Sequence, residues 1–280
     1  MTPSQHSGII TFGIITDIHF STHRRRSATA INAVADLRLW VEKCKKKKVD
    51  FLLQLGDLIK GTEQYKWQEL HQSSSILSEF SGTIHHVIGN HCLAIPRREL
   101  LTALEMPCAY FSFKDKGFRF IVIDGMDVSI HSEPETQEDK NTFKYFLALP
   151  ENHDYCGAVG SRQKAWLKNE LETAMLAGEK VIVISHLPLL PETTDAKYGL
   201  LWNHQEIFDL VSSFTAVKVC LCGHYHFGSY VQKKGIHFLV LPAFITRYEH
   251  PFFSSGFIEV EIGRMVTRNQ NNEVIFEFTL

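Results

Sequence analysis

Five short clusters carry side chains that bind divalent cations: Asp17-Ile18-His19, Gly56-Asp57, Gly89-Asn90-His91, Ser185-His186 and Gly223-His224-Tyr225-His226. Carboxylate, amide oxygen and neutral imidazole together suit borderline-hard metals such as manganese, iron or zinc. Asp57, central in the order, is the best candidate to bridge two ions. Two cations roughly 3.5–4 Å apart would polarise a phosphoryl group and supply a nucleophile for in-line displacement. That chemistry is hydrolysis of a phosphate ester or anhydride. Each cluster alone has a plain alternative. Asp-x-His and Gly-Asp occur in surface turns, and a histidine before Leu187-Pro188 can be a hydrogen-bonded core residue. The conjunction carries the reading, because five predicted strands each finish in a ligand.

The elements that must position these groups alternate strand, motif and helix. Apolar β-prone runs at 8–16, 51–55, 83–88, 180–184 and 217–222 precede the five clusters. A helix is expected over 27–47, with Ile31, Val34, Leu37, Val41 and Cys44 as its buried face. A second is expected over about 62–80, and a short one opens at Pro96. Residues 110–113 and 118–123 flank Lys114-Asp115-Lys116-Gly117 as a hairpin. A helix over 161–177, with Trp166, Leu167, Leu171 and Met175 on its apolar face, stops at Gly178. Another follows over 202–213. The C-terminal part turns to strands only. The stretch 125–160 breaks the rhythm as a polar, partly helical insertion, read as a rim or lid over the site.

At 280 residues and 44% hydrophobic, the chain is long enough for a large core, and residues 1–280 are read as one domain. A net charge of −2 gives no broad pull toward nucleic acid. The run Lys45-Lys46-Lys47-Lys48 ends a predicted helix, where cations complement the dipole. Six cysteines without a CxxC pair point to reduced thiols in a cytoplasmic protein. Cys220 and Cys222 would share one strand face. No apolar run reaches the ~20 residues that span a bilayer. The N-terminal segment lacks the form of a signal peptide.

Taken in order, Asp17-x-His19, Gly56-Asp57, Gly89-Asn90-His91, His186 and Gly223-His224-x-His226 resemble the calcineurin-like metallophosphoesterases. The likeness spans residues 17 to 226. It implies an α/β fold, a four-layer αββα sandwich with two central mixed β-sheets. It implies that Asp17, His19, Asp57 and His226 hold one metal, and Asp57, Asn90, His186 and His224 the other. His91 would face the scissile phosphate, protonating the leaving oxygen or stabilising developing charge. Longer stretches are similar to the manganese-dependent ADP-ribose/CDP-alcohol diphosphatases: 22–27 with Arg24, Arg25 and Arg26, the run 53–57, Phe118-Arg119-Phe120-Ile121, Asp124, Asp127, 183–188 and Trp202-Asn203. The chain departs from that group at His19, where Gln is frequent, and at Lys60, where an acidic residue is common. Its insertion is also shorter.

The resemblance implies two divalent ions, Mn²⁺ first, with Fe, Zn or Mg as alternatives. The implied reaction splits a pyrophosphate: ADP-ribose to AMP and ribose 5-phosphate, or a CDP-alcohol to CMP and a phosphoalcohol. Arg24, Arg25 or Arg26 would pair with a substrate phosphate. Phe20, Tyr225 and Phe227 would stack a base or simply pack. One alternative is another phosphodiesterase of the family, acting on cyclic nucleotides or general phosphodiesters. A Ser/Thr protein phosphatase is disfavoured, because Gly56-Asp57 continues as Leu58-Ile59-Lys60-Gly61 rather than with Asp-Arg-Gly. A second alternative is a non-catalytic scaffold, although such relatives lose ligands and this chain keeps them all. The expected partner is a small nucleotide, with no nucleic acid, no membrane and a monomeric state.

Overall fold

Alternating apolar residues along the strands divide between two cores, and that division sets the architecture. The computed structural model describes residues 8–21, 31–249 and 253–280. Within them the strands are β1 (Ile10–Ile15), β2 (Phe51–Gln54), β3 (Thr83–His86), β4 (Phe111–Asp115), β5 (Phe118–Val122), β6 (Lys180–Ile184), β7 (Val217–Cys222), β8 (Ser229–Lys233), β9 (Ile236–Val240), β10 (Ser255–Glu261), β11 (Arg264–Asn269) and β12 (Val274–Thr279). The helices are α1 (Ala33–Lys47), α2 (Lys66–Leu77), α3 (Arg97–Ala103), α4 (Gln137–Leu147), α5 (Ser161–Ala177) and α6 (His204–Ser212). The strands form two mixed sheets, ordered β12-β11-β10-β1-β2-β3 and β4-β5-β6-β7-β9-β8.

Period-two side-chain direction explains the layering. Ile10, Phe12 and Ile14 of β1, Phe118, Phe120 and Val122 of β5, and Ile182 and Ile184 of β6 share one buried cluster between the sheets. The opposite faces, including Ile15, Ile121, Val181 and Val183, pack with helix residues Leu37, Trp40, Leu167 and Leu171 in the outer core. α1 lies on β10 of the first sheet, and α5 on β5 and β6 of the second. This is the expected αββα sandwich.

Two helix faces differ from the periodicity reading. Ile31 is 65% exposed, and the buried stripe of α1 is Ala33, Leu37, Trp40, Val41 and Cys44. Trp40, fully buried, is the largest side chain on that face, so the stripe centres on it. Along α5, Met175 is 49% exposed, while Ala174 and Gln163 join Leu167 and Leu171 in the buried stripe. Trp166 packs at the margin against Tyr110, ring to ring at 4.8 Å. The lysine run does end α1, with Lys48 in a left-handed C-cap, and Cys220 and Cys222 share the outer core.

Both flanks of the sandwich close with a histidine laid flat on a phenylalanine. His85 of β3 stacks on Phe113 of β4 at 3.7 Å, and His237 of β9 stacks on Phe278 of β12 at 4.1 Å. The insertion is tied at its base. Asn203 accepts from the Val159 amide at 3.0 Å and donates to its carbonyl at 2.9 Å. Asp127 accepts from Gln163 and from the Gly160 amide, and Asp124 accepts from Arg97 and from the Met126 amide. No helix among the described residues is long and apolar enough to cross a membrane.

Candidate metal centre

Parallel pairing brings the ligand-bearing loops to one end of the sandwich. β1, β2 and β3 run parallel, as do β5, β6, β7 and β9. Their C-terminal ends therefore open on the same side, where α/β sheets place ligands. Asp17 and His19 follow β1, Asp57 follows β2, Asn90 and His91 follow β3, His186 follows β6, and His224 and His226 follow β7. The first sheet thus supplies four candidate ligands and the second three.

The backbone bends hard to aim these side chains. Asp17, His19, Asp57 and His224 have φ of 48°, 43°, 50° and 68°. Each costs of order 1–3 kcal/mol, a strain found at functional sites. Two glycines are required by close approach. A Cβ on Gly56 (φ 102°) would collide with the His186 ring at Nδ1, and one on Gly89 would collide with the Asp57 amide and carboxylate.

Each carboxylate is anchored by one oxygen and offers the other. Asp17 Oδ2 accepts from the Thr16 hydroxyl at 2.6 Å and the His224 amide at 2.9 Å. Its Oδ1 lies 3.6 Å from His19 Nε2 and 3.5 Å from His226 Nε2. Asp57 Oδ1 accepts from the His91 amide at 2.9 Å, while Oδ2 lies 3.5 Å from both His19 Nε2 and His186 Nε2. Asp57 therefore stands between the two halves of the cluster. Asn90 Oδ1 lies 3.3 Å from His186 Nε2.

Backbone carbonyls settle which ring nitrogen faces the centre. His186 Nδ1 donates to Leu55 O at 2.8 Å, His91 Nδ1 to Lys60 O at 2.8 Å, and His224 Nε2 to Tyr198 O at 2.7 Å. These partners leave Nε2 of His186 and His91, and Nδ1 of His224, for the site. A fixed tautomer of this kind is how metal-binding histidines are oriented.

The donor set fits divalent cations. Asp17 Oδ1, which faces the histidines, is buried with no hydrogen-bond partner. Nε2 of His19 and His226 face each other at 3.1 Å. Asp17, His19 and His226 form one group, and Asp57, His186 and His224 another, each with donor atoms within 4.8 Å. Burial would push both carboxyls up, but the surrounding histidines hold Asp17 and Asp57 well below the usual carboxylate range. Burial likewise opposes charge on His186, yet Asp57 and Asp17 raise it to about 9. Burial, helped by the charge on His186, pulls His224 down to about 4. Ionised carboxylates beside a neutral imidazole, in a field that draws positive charge, are what hard and borderline cations need.

The centre floors a cleft of about 460 Å³ walled by His131 and Tyr155 from the insertion and by Gly61, Ala94, Lys197 and Tyr198. All seven candidate ligands and His91 come together here. Arg24, Arg25 and Arg26 lie outside the described residues. Phe20 is fully buried and belongs to the core, so it cannot stack a base. Tyr225 and Phe227 pack beside Tyr198, at 5.3 and 6.1 Å between ring centroids. Sequence reasoning missed Thr16, whose hydroxyl anchors Asp17, and the wall residues Tyr155, Lys197 and Tyr198. No periodicity marks those three, because they sit in irregular segments.

The family model for calcineurin-like phosphoesterases matches residues 10–228. Among curated proteins, the chain is 32% identical to an Arabidopsis thaliana manganese-dependent ADP-ribose/CDP-alcohol diphosphatase, covering 90% of this chain and 91% of that one. A protein of the same name from Oryza sativa is 29% identical over 92% and 90%. Among solved structures, a dimetal phosphatase from Danio rerio has the same fold, with a TM-score of 0.84, 24% identity and coverage of 96% and 98%. The ordered ligand motifs, the sandwich and these matches agree: the chain belongs to the calcineurin-like phosphoesterase family.

Proposed function

We propose that the protein is a manganese-dependent diphosphatase that splits the pyrophosphate of nucleoside diphosphate derivatives. Its substrates would be ADP-ribose, giving AMP and ribose 5-phosphate, and CDP-alcohols, giving CMP and a phosphoalcohol. The observation that carries the reading is the convergence of Asp17, His19, Asp57, Asn90, His186, His224 and His226 on a cleft that His91 also lines. Asp17, His19, Asp57 and His226 are assigned to one cation, and Asp57, Asn90, His186 and His224 to the other. When bound, the two ions supply Lewis-acid stabilisation of phosphoryl charge and an activated water. The chain's own groups orient the reactants. Asp57 holds the His91 amide through Oδ1, which ties the bridging carboxylate to the His91 backbone. His91, locked by Lys60 O at Nδ1, presents Nε2 and can deliver a proton to the leaving phosphate oxygen. The names of the relatives support the substrate class.

The same reading takes residues 1–280 as one catalytic domain, with 125–160 forming part of the cleft wall through His131 and Tyr155. It takes the protein as a cytoplasmic monomer acting on a small nucleotide, without nucleic-acid or membrane partners. The free, buried thiols of Cys44, Cys92, Cys156, Cys220 and Cys222 fit a reducing compartment. The test is AMP release from ADP-ribose by metal-stripped protein with Mn²⁺ restored, against a chelated control. Metal-dependent AMP supports the reading. Cleavage of a simple phosphodiester without AMP release from ADP-ribose points instead to another phosphodiesterase of the family.

A further inference from the structure

We propose that Lys197 holds the second phosphoryl group of a diphosphate substrate and biases the cleft against a cationic group beyond it. The inference rests on the diphosphatase reading above and deepens it. A diphosphate brings two charged phosphoryl groups. The convergent carboxylates and imidazoles account for one. The other also leaves water on entering the cleft, and a phosphate oxygen removed from water needs a charged or hydrogen-bonding partner.

Among the described residues that line the cleft, Lys197 is the one with a fixed positive charge; the others offer a carboxylate, an amide, imidazoles, phenols and small side chains. Desolvation and the nearby Arg97 hold His131 below its ordinary value, which disfavours a charge on that ring. The Lys197 ammonium pairs with no carboxylate among the described residues. It lies 5.6 Å from the Tyr198 ring centroid, within cation–π range. Lys233, which faces the same loop, is by contrast tied to Glu192 at 2.5 Å. Tyr198 in turn packs its ring against His226 at 5.2 Å. The Tyr198 ring is therefore near both the ammonium and a candidate metal ligand.

The backbone under Lys197 is pinned, which gives the side chain a defined origin. Tyr155 donates its hydroxyl to Lys197 O at 2.5 Å, and His153 Nε2 donates to Ala196 O at 2.5 Å. Asp195 Oδ1 accepts from the Lys197 and Tyr198 amides at 2.9 and 3.1 Å. From that base the four-carbon stem sweeps the cleft mouth with a compact point charge. Such a charge attracts a phosphoryl group and repels a quaternary ammonium. ADP-ribose and CDP-glycerol, neutral beyond the diphosphate, fit the cleft better than CDP-choline does.

The experiment compares wild type, Lys197→Met, Lys197→Arg and Lys197→Glu as full-length protein with Mn²⁺. The substrates are ADP-ribose, CDP-glycerol, CDP-choline and bis(p-nitrophenyl) phosphate, which carries a single phosphoryl group. Lys197→Met should lose about 10- to 100-fold in kcat/KM on ADP-ribose, mainly through KM, as expected for a charged hydrogen bond. That loss should exceed the loss on bis(p-nitrophenyl) phosphate at least about fivefold, and Lys197→Arg should recover most of it. Lys197→Glu should narrow or reverse the preference for CDP-glycerol over CDP-choline. An equal loss on all four substrates, or none on ADP-ribose, overturns the assignment while leaving the diphosphatase reading standing. A wild type that cleaves only the single-phosphoryl ester overturns both.

Discussion

Nδ1 of His91 donates to the carbonyl oxygen of Lys60 at 2.8 Å, so a main-chain atom sets the tautomer of the proposed general acid. The Lys60 side chain is not required for that bond. His91→Gln removes the group that would protonate the leaving oxygen and leaves the candidate ligands in place. Its kcat should fall by about 10²–10⁴-fold. Bound manganese, measured by mass spectrometry of the metal, should stay at the wild-type level. A variant that loses metal along with activity would make His91 a ligand rather than an acid.

Asp57 stands between both halves of the cluster, and its charge holds them together. Asp57→Asn should weaken manganese binding by more than the ~10–100-fold seen when an outer partner of a ligand is lost. Chelation of wild type should lower the melting temperature. A ligand at about 100 times its Kd contributes about 2.7 kcal/mol to stability. The Asp57→Asn variant should show little further drop on adding chelator. Scanning calorimetry with and without Mn²⁺ reads both effects.

Burial holds His85 and His86 down to about 4, and also lowers His237. An unfolded histidine takes up its proton near pH ~6.5. Between that pH and about 4 the unfolded chain binds more protons, so stability is full above the window and falls as pH drops through it. Each fully mismatched group contributes a slope of about 1.4 kcal/mol per pH unit. His85→Phe keeps the stack on Phe113 and removes one proton site. Urea midpoints of metal-free protein should change less between pH 6 and pH 5 in that variant. Identical slopes would mean that His85 does not set the acid limb.

Gly89 and Gly178 separate crowding from conformation. A Cβ at Gly89 would collide with Asp57, whereas one at Gly178 meets nothing within 4 Å but inherits a φ of 68°. Gly178→Ala should cost about 1–2 kcal/mol, the ordinary left-handed penalty. Gly89→Ala should cost more than that in denaturant titrations and should weaken manganese binding as well, because the Asp57 backbone must move. Equal costs with unchanged metal affinity would show that the loop absorbs the methyl.

Much of the centre was legible in the sequence because each candidate ligand closes a short β run, and parallel pairing then does the converging. Asp57 reads as central in the chain and proves central in space for that reason. What stayed hidden depends on contacts with no local mark. Trp40 rather than Ile31 defines the buried face of α1, since bulk and neighbours decide between rival stripes of similar spacing. Lys197 and Tyr155 meet through a hydroxyl-to-carbonyl bond between two irregular segments. The three C-terminal strands were visible as strands, but nothing local shows that they complete the first sheet.

That completion bears on how the molecule is made. Ile10 to Ile15 pair antiparallel with Ser255 to Val260, so one neighbour of the first strand is synthesised only after β2 to β9. Until then, Phe12 and its neighbours wait on a sheet edge that a ribosome-bound chain leaves open. Domains that emerge with unpaired edges are prone to aggregate. A truncation before Ser255 would therefore carry all seven candidate ligands and still lack the strand that seals the sheet behind them.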